Sequence, residues 1–97
     1  MEDSIQTILN YNIPEFNYIK LAEELAELSE VVLKMYLKKA EHKPPKERLV
    51  EEIGDVILRL KILSKMENIS FDVNARVQKK TFQILQWIDE GKYKGGA

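Results

Sequence analysis

The chain has 97 residues, 44% of them hydrophobic, which is enough for one domain with a small core. Its 15 basic and 16 acidic residues give a net charge of −1, so we expect no nucleic-acid partner. The absence of cysteine excludes disulfides and thiolate metal sites. No segment approaches the roughly 20 apolar residues of a membrane span, and the first residues lack a signal-peptide pattern. We therefore expect a cytoplasmic protein without a membrane partner.

Apolar residues recur with a helical period along the chain, and no stretch alternates with the period of two that a half-buried strand needs. A short first helix is predicted at about Ser4 to Tyr11, within an N-terminal segment of residues 1–13. Pro14 suits the first turn of a second helix, because a proline there loses no hydrogen bond. Two successive prolines, Pro44 and Pro45, break the chain before a third helix.

The third helix is predicted from about Lys46 to Met66, and a turn at Asn68 to Ser70 separates it from a fourth. Ser70 is a candidate amino-terminal cap of that fourth helix, and Gly91 is a candidate stop. Residues 92–97 are expected to form a loose tail. The predicted fold class is all-α: an antiparallel bundle of about four helices, forming a single domain over residues 1–97.

Two acidic clusters occupy the same apolar frame, since residues 21–27 read LAEELAE and residues 49–55 read LVEEIGD. At about 100° per residue, the apolar stripe of each helix is predicted to be centred on the leucine that begins its cluster. Four acids then lie on the inward flank of these stripes, whereas Glu23 and Glu51 point away. The four flanking acids are Glu24, Glu27, Glu52 and Asp55.

A solvated helix face with acid–base pairs four residues apart is the ordinary explanation for such charges. It accounts for Glu30 and Asp55, each of which has a basic residue four positions later. Glu24, Glu27 and Glu52 are followed at that spacing by apolar residues, so they need another counter-charge. A bound metal ion would supply it.

The residue types indicate which metal this would be. The single histidine, His42, lies beside the two prolines, so the acids form a hard oxygen set that suits Mg²⁺, with Mn²⁺ as a substitute. Hard cations held by carboxylates usually also coordinate the phosphates of a substrate. Gly54, within the third helix, costs about 1 kcal/mol relative to alanine. We expect it to admit either a close helix crossing or a ligand beside the acids.

The position of the clusters constrains the second helix. If it ran unbroken to Glu41, its acids would lie roughly 23 Å from the loop, against about 11 Å for those of the third helix. The clusters would then miss each other in an antiparallel pair. We therefore predict that the second helix ends or bends near Leu37 to Lys39, leaving KKAEHKPPK as the connection.

These residues resemble the MazG-like, all-α nucleoside triphosphate pyrophosphohydrolases. The hallmark of that family is Glu-Glu-x-x-Glu followed by Glu-x-x-Asp, matched here by EELAE at residues 23–27 and EIGD at residues 52–55. The ending QKKTFQILQWIDEGKY is similar to the last helix of the family. The resemblance extends from Tyr18 to Tyr93 and indicates a short, single-domain member.

The resemblance implies an Mg²⁺-dependent enzyme that cleaves a nucleoside triphosphate to a monophosphate and pyrophosphate, and that works as a homodimer or homotetramer. The acids that carry over as catalytic metal ligands are Glu24, Glu27, Glu52 and Asp55. Arg48, one turn before an acid, and Lys79 or Lys80, at the family's basic position, are candidate phosphate-binding residues. An arginine that often follows that lysine is missing here, so Lys20, Lys34 or a neighbouring subunit are alternatives.

Residues that would bind the base are not indicated, and neither is the nucleotide. The aromatic residues Trp87, Tyr36, Tyr18 and Phe16 could stack on a base, but helical spacing favours packing for them. Two alternative functions stay open: a phosphoribosyl-ATP pyrophosphohydrolase, which has the same acid layout, and a non-catalytic helical interaction module.

Overall fold

A computed structural model describes residues 2–37 and 40–95, and the described chain is all-α, with no strand. The four helices are α1 (Glu2–Tyr11), α2 (Pro14–Leu37), α3 (Lys46–Met66) and α4 (Ser70–Asp89), with a short 3-10 turn at Ala40–His42. The predicted fold class is confirmed. Within the described ranges, no helix is both long and apolar enough to cross a bilayer.

The helix ends follow the backbone constraints in the sequence. α2 begins at Pro14 and α3 directly after Pro45, as predicted. α2 ends at Leu37, which confirms the predicted early end, although Lys38 and Lys39 of the predicted connection lie outside the described residues. In the predicted tail, residues 96 and 97 also lie outside them.

The chain forms two units, Met1–Glu67 and Asn68–Ala97. In the first unit, α2 packs along α3, and α1 also packs on α3. Asn17 Nδ2 donates a hydrogen bond to Met66 Sδ at 3.3 Å, and the Tyr18 hydroxyl donates one to Glu67 Oε1 at 2.5 Å. These bonds join the start of α2 to the end of α3, so the two helices run antiparallel.

Most buried and half-buried positions of α2 and α3 follow a seven-residue pattern, with steps of four and three residues. On α2 these positions are Asn17, Leu21, Glu24, Leu28, Val31 and Met35, and on α3 they are Leu49, Glu52, Val56, Arg59, Leu63 and Met66. Outside the pattern are Ile62, which is 1% exposed, and the half-buried Lys20, Ser64 and Lys65. Such a pattern is typical of two helices that pack along a common seam. Two of the acids therefore occupy seam positions that are normally apolar.

The predicted centre of the apolar stripes is wrong. The observed seam is rotated by about 40° from Leu21 toward the acids, and the α3 seam is rotated from Leu49 in the same sense. Leu25 and Ile53, placed within the predicted stripes, are 45% and 41% exposed. Beside the buried seam, each helix has a second row of apolar residues that is exposed and includes Leu25 or Ile53. The average direction of all the apolar residues therefore falls between the seam and this exposed row.

The turn between α3 and α4 corrects one further prediction. Asn68 has a φ of 58°, a left-handed conformation that asparagine tolerates better than most residues. The Ile69 carbonyl already accepts a helical hydrogen bond from the Val73 amide at 2.9 Å. Ile69 is therefore the cap, and Ser70 is the first helical residue rather than the predicted cap.

The predicted stop of α4 is confirmed. Gly91 has a φ of 71°, and its amide donates to the Ile88 carbonyl at 3.1 Å. The Lys92 amide donates to the Trp87 carbonyl at 2.8 Å. This pair of bonds satisfies carbonyls at the helix end and requires a residue that adopts positive φ without strain.

Candidate metal centre

Three of the four predicted ligands come together where α2 packs on α3. Glu24 from α2 and Glu52 and Asp55 from α3 each offer a carboxylate oxygen, and these oxygens lie within 4.8 Å of one another. This convergence places the two acidic clusters at about the same level along the helix pair. The two halves of the sequence repeat thus meet within one chain.

Burial divides the acids into an inner and an outer set. Glu24 and Glu52 are 7% and 4% exposed, because they lie on the seam. Asp55 and Glu27 are exposed, so the prediction that all four lie inward holds for two of them. Glu27 belongs to the edge of the site: its charge acts on Glu52, but it is not among the three whose oxygens converge.

Glu52 is the most unusual group in the cluster. Burial raises the pKa of its carboxyl above the ordinary value, and Arg48 opposes this rise. The nearby charges of Glu27, Asp55 and Glu24 raise the pKa of Glu52 further. One of its oxygens, Oε2, is buried and has no hydrogen-bond partner among the described residues. A buried carboxylate oxygen without a partner is unfavourable, so it needs a contact from outside the described chain.

Each buried acid has a basic residue one turn before it. Arg48 Nη2 lies 3.1 Å from Glu52 Oε1, and Lys20 Nζ lies 3.8 Å from Glu24 Oε1. The expectation that these acids lack a local cation is therefore wrong. Only basic residues four positions after each acid were considered, because that order is the more favourable one. Long basic side chains also reach an acid four positions later, as Lys20 and Arg48 do. Lys20 additionally lies 3.6 Å from Glu23 Oε2.

The sequence contained a signal for these cations. The repeated frame is eight residues long when the preceding position is included: KLAEELAE at residues 20–27 and RLVEEIGD at residues 48–55. A basic residue begins both copies, and an acid four positions later is buried in both.

The surface beside Gly54 is open. A β-carbon at this position would meet no described atom within 4 Å apart from the helix's own backbone, and the residue is exposed. No other helix of the first unit therefore crosses at Gly54, so the explanation by close helix crossing fails within that unit. Room for a ligand or another subunit beside Asp55 remains as the explanation.

The other predicted phosphate contacts are Lys34 in the first unit and two lysines in the second. Lys34 pairs with Glu30 at 2.7 Å on the exposed side of α2, as its spacing predicts. Lys79 and Lys80 are exposed on α4, where the Lys80 ammonium lies 4.9 Å from the centre of the Trp87 ring. These two lysines are placed within the second unit alone, and their role toward phosphate stays a prediction.

Three of the four aromatic residues considered for base stacking, Phe16, Tyr18 and Trp87, have local partners. The Arg59 guanidinium lies 5.7 Å from the centre of the Phe16 ring, and Tyr18 is bonded to Glu67. Tyr36 is 83% exposed. Trp87 lines a shallow cavity of about 350 Å³ at the end of α4, together with Lys92, Tyr93 and Lys94.

Comparison with known proteins adds independent evidence. The family model for the MazG nucleotide pyrophosphohydrolase domain matches residues 14–83, which include both acidic clusters and more than two thirds of the chain. No curated protein and no solved structure matches the chain significantly. Members of the family generally use a divalent metal, and the group of Glu24, Glu52 and Asp55 is able to bind one. With its all-α fold, the chain belongs to the MazG nucleotide pyrophosphohydrolase family.

Proposed function

We propose that this protein is an Mg²⁺-dependent nucleoside triphosphate pyrophosphohydrolase, which cleaves a ribo- or deoxyribonucleoside triphosphate to the monophosphate and pyrophosphate. The observation that carries the proposal is the buried Glu52 Oε2, which has no described partner and belongs to a group of three converging carboxylates. The proposed location is the cytoplasm, where nucleoside triphosphates are abundant.

The donor set fits a hard divalent cation. Carboxylate oxygens are the ligands that Mg²⁺ prefers, and Mn²⁺ accepts the same set. Glu24, Glu52 and Asp55 would hold the ion, and the exposed Glu27 would add a fourth carboxylate from the edge. When bound, the metal supplies neutralisation of triphosphate charge and activation of a water molecule.

The protein itself contributes position and desolvation. Leu21 and Val56 are buried on the same seam as the two inner glutamates, so they exclude water from the inner side of the site. The packed seam also limits the conformations of Glu24 and Glu52, which reduces the reorganisation required on binding. Arg48 lies at the exposed edge of the site and is the proposed contact for a substrate phosphate.

A homodimer or homotetramer is part of the proposal. Several large apolar residues on α2 and α3 are exposed, and the surface at Gly54 is open. Examples are Leu25, Val32, Ile53 and Ile57, which are 41–49% exposed. Apolar surface on neighbouring positions is favourable to bury against another copy. Light scattering on the purified protein should give a mass at least twice 11.3 kDa, and a monomer at assay concentration would contradict this part.

The test uses two neighbouring glutamates that differ in environment. Glu52→Gln removes a charge from the buried group, whereas Glu51→Gln makes the same chemical change at an exposed position. In a screen of nucleoside triphosphates with Mg²⁺, we expect pyrophosphate release to fall by about 100-fold or more in Glu52→Gln. Release in Glu51→Gln should stay within about twofold of the unmodified protein.

Two outcomes would favour the alternatives. Turnover of phosphoribosyl-ATP, with none of the common triphosphates, would indicate a phosphoribosyl-ATP pyrophosphohydrolase. No Mg²⁺-dependent turnover of any nucleotide would favour a non-catalytic interaction module.

A further inference from the structure

The basic residues that begin the two repeated stretches occupy equivalent positions, although Lys20 also lies 3.6 Å from the exposed Glu23. Arg48 is paired with Glu52 and Lys20 with Glu24, in each case with the buried acid one turn later. The basic side chains are 50% and 32% exposed, whereas those of the acids are 5% and 9% exposed. Each pair therefore joins a half-solvated cation to a carboxylate in the core.

The order of the charges is informative. A helix is stabilised more by an acid that precedes a base by four residues than by a base that precedes an acid. The Glu30–Lys34 pair of α2 has the more favourable order, and the Lys20 and Arg48 pairs have the less favourable one. Helix stability alone is thus a weak reason for this arrangement. The buried carboxylates supply a stronger one, because a buried charge needs an opposite charge nearby.

We propose that Lys20 and Arg48 are exchangeable counter-charges: they balance Glu24 and Glu52 while the carboxylates hold no divalent cation, and they leave the carboxylates when a cation binds. This inference rests on the proposed function, because the same carboxylates would hold the metal. Arg48 and Lys20 are 50% and 32% exposed, so their charged ends are able to turn toward solvent without disturbing the seam. Arg48 becomes free to contact an anion when a metal–triphosphate complex arrives.

The two bases should compete with the metal for the carboxylates of Glu24 and Glu52. A positive charge within 3.1–3.8 Å of a ligand oxygen repels a divalent cation at the same oxygen. Removing the base should therefore increase the affinity for the metal, although it should lower the free energy of unfolding of the metal-free protein. A base that only orients its carboxylate would have the opposite effect on metal affinity.

The experiment measures Mn²⁺ and Mg²⁺ binding by titration calorimetry, and the thermal unfolding midpoint with EDTA or saturating metal, all without nucleotide. The variants are Arg48→Met and Lys20→Met. Lys34→Met is the matched control, because its pair with Glu30 is exposed and includes none of the three converging carboxylates. We expect the metal dissociation constant to fall about three- to tenfold in Arg48→Met and about twofold in Lys20→Met. In Lys34→Met it should not change.

The unfolding midpoints give a second readout. Arg48→Met should unfold at a lower temperature than the unmodified protein in EDTA, and this difference should disappear at saturating Mn²⁺. Lys34→Met should show the same small difference in both conditions. If Arg48→Met does not fold without metal, Lys20→Met still tests the inference through its dissociation constant. The Lys20–Glu24 pair is longer, at 3.8 Å against 3.1 Å, and its acid is less deeply buried, so losing it should cost less stability.

Failure of the inference is separable from failure of the proposed function. Unchanged or weaker metal binding in both variants, with normal binding in the unmodified protein, would overturn the exchange and leave the proposed function in place. Absence of any metal binding to the unmodified protein would overturn both.

Discussion

Metal removal is expected to lower the stability of the folded protein by a predictable amount. The three carboxylates converge only when α2 packs on α3, since Glu24 is 28 positions before Glu52, so the unfolded chain has no comparable site. A ligand present at 100 times its dissociation constant then stabilises the folded state by about 2.7 kcal/mol. For a chain of 97 residues, 1 kcal/mol corresponds to roughly 4–8 °C in the unfolding midpoint. The expected shift is therefore about 10–20 °C.

The assay is thermal unfolding followed by circular dichroism, in EDTA and in Mn²⁺ at 100 times its measured dissociation constant. The unmodified protein and Glu51→Gln should both show the full shift, because Glu51 points to solvent. Glu52→Gln should show little or none, because it removes a charged ligand from the group of three. An equal shift in Glu52→Gln, or no shift in the unmodified protein, would refute the assignment of the site.

Three further predictions concern stability. Because burial raises the pKa of Glu52 in the folded state above its ordinary value of 4.5, the folded state holds the proton more tightly than the unfolded state. Without metal, the free energy of unfolding should fall as the pH rises from about 4.5 through the raised pKa of Glu52 in the folded state. Urea unfolding at several pH values should show a smaller fall in Glu52→Gln, which lacks this carboxyl. Ile62, 1% exposed, should lose about 2–5 kcal/mol of unfolding free energy on change to alanine. Leu58→Ala, at a position 38% exposed on the same helix, should lose clearly less, and equal losses would contradict the assigned core. Gly54→Ala should raise the unfolding free energy by about 0.5–1 kcal/mol, since alanine favours the helix more than glycine and the added methyl meets no described atom. An unfolding free energy below that of the unmodified protein would contradict the open surface.

The helix ends were predictable because proline restricts the backbone directly. Pro14 and Pro45 define where α2 and α3 begin, whatever the helices pack against. The early end of α2 followed from a different constraint, namely that the two acidic clusters must meet. Ser70 was misplaced because its side chain suits a cap, whereas the left-handed turn at Asn68 lets the helix begin one residue earlier.

The environment of the acids was only partly predictable. Counting apolar residues alone placed the acids on the flank of the core, but Glu24 and Glu52 complete the seven-residue seam themselves. Which of two apolar edges faces the neighbouring helix depends on packing, and one helix considered alone does not determine it. The pairs with Lys20 and Arg48 were missed because only the favourable order of charges was considered.

The identity of the products tests the central claim most directly. Purified protein, a nucleoside triphosphate that it turns over, and Mg²⁺ should give nucleoside monophosphate and pyrophosphate in equal amounts by phosphorus NMR, and EDTA should stop the reaction. Formation of nucleoside diphosphate and orthophosphate, or turnover that persists in EDTA, would contradict the account.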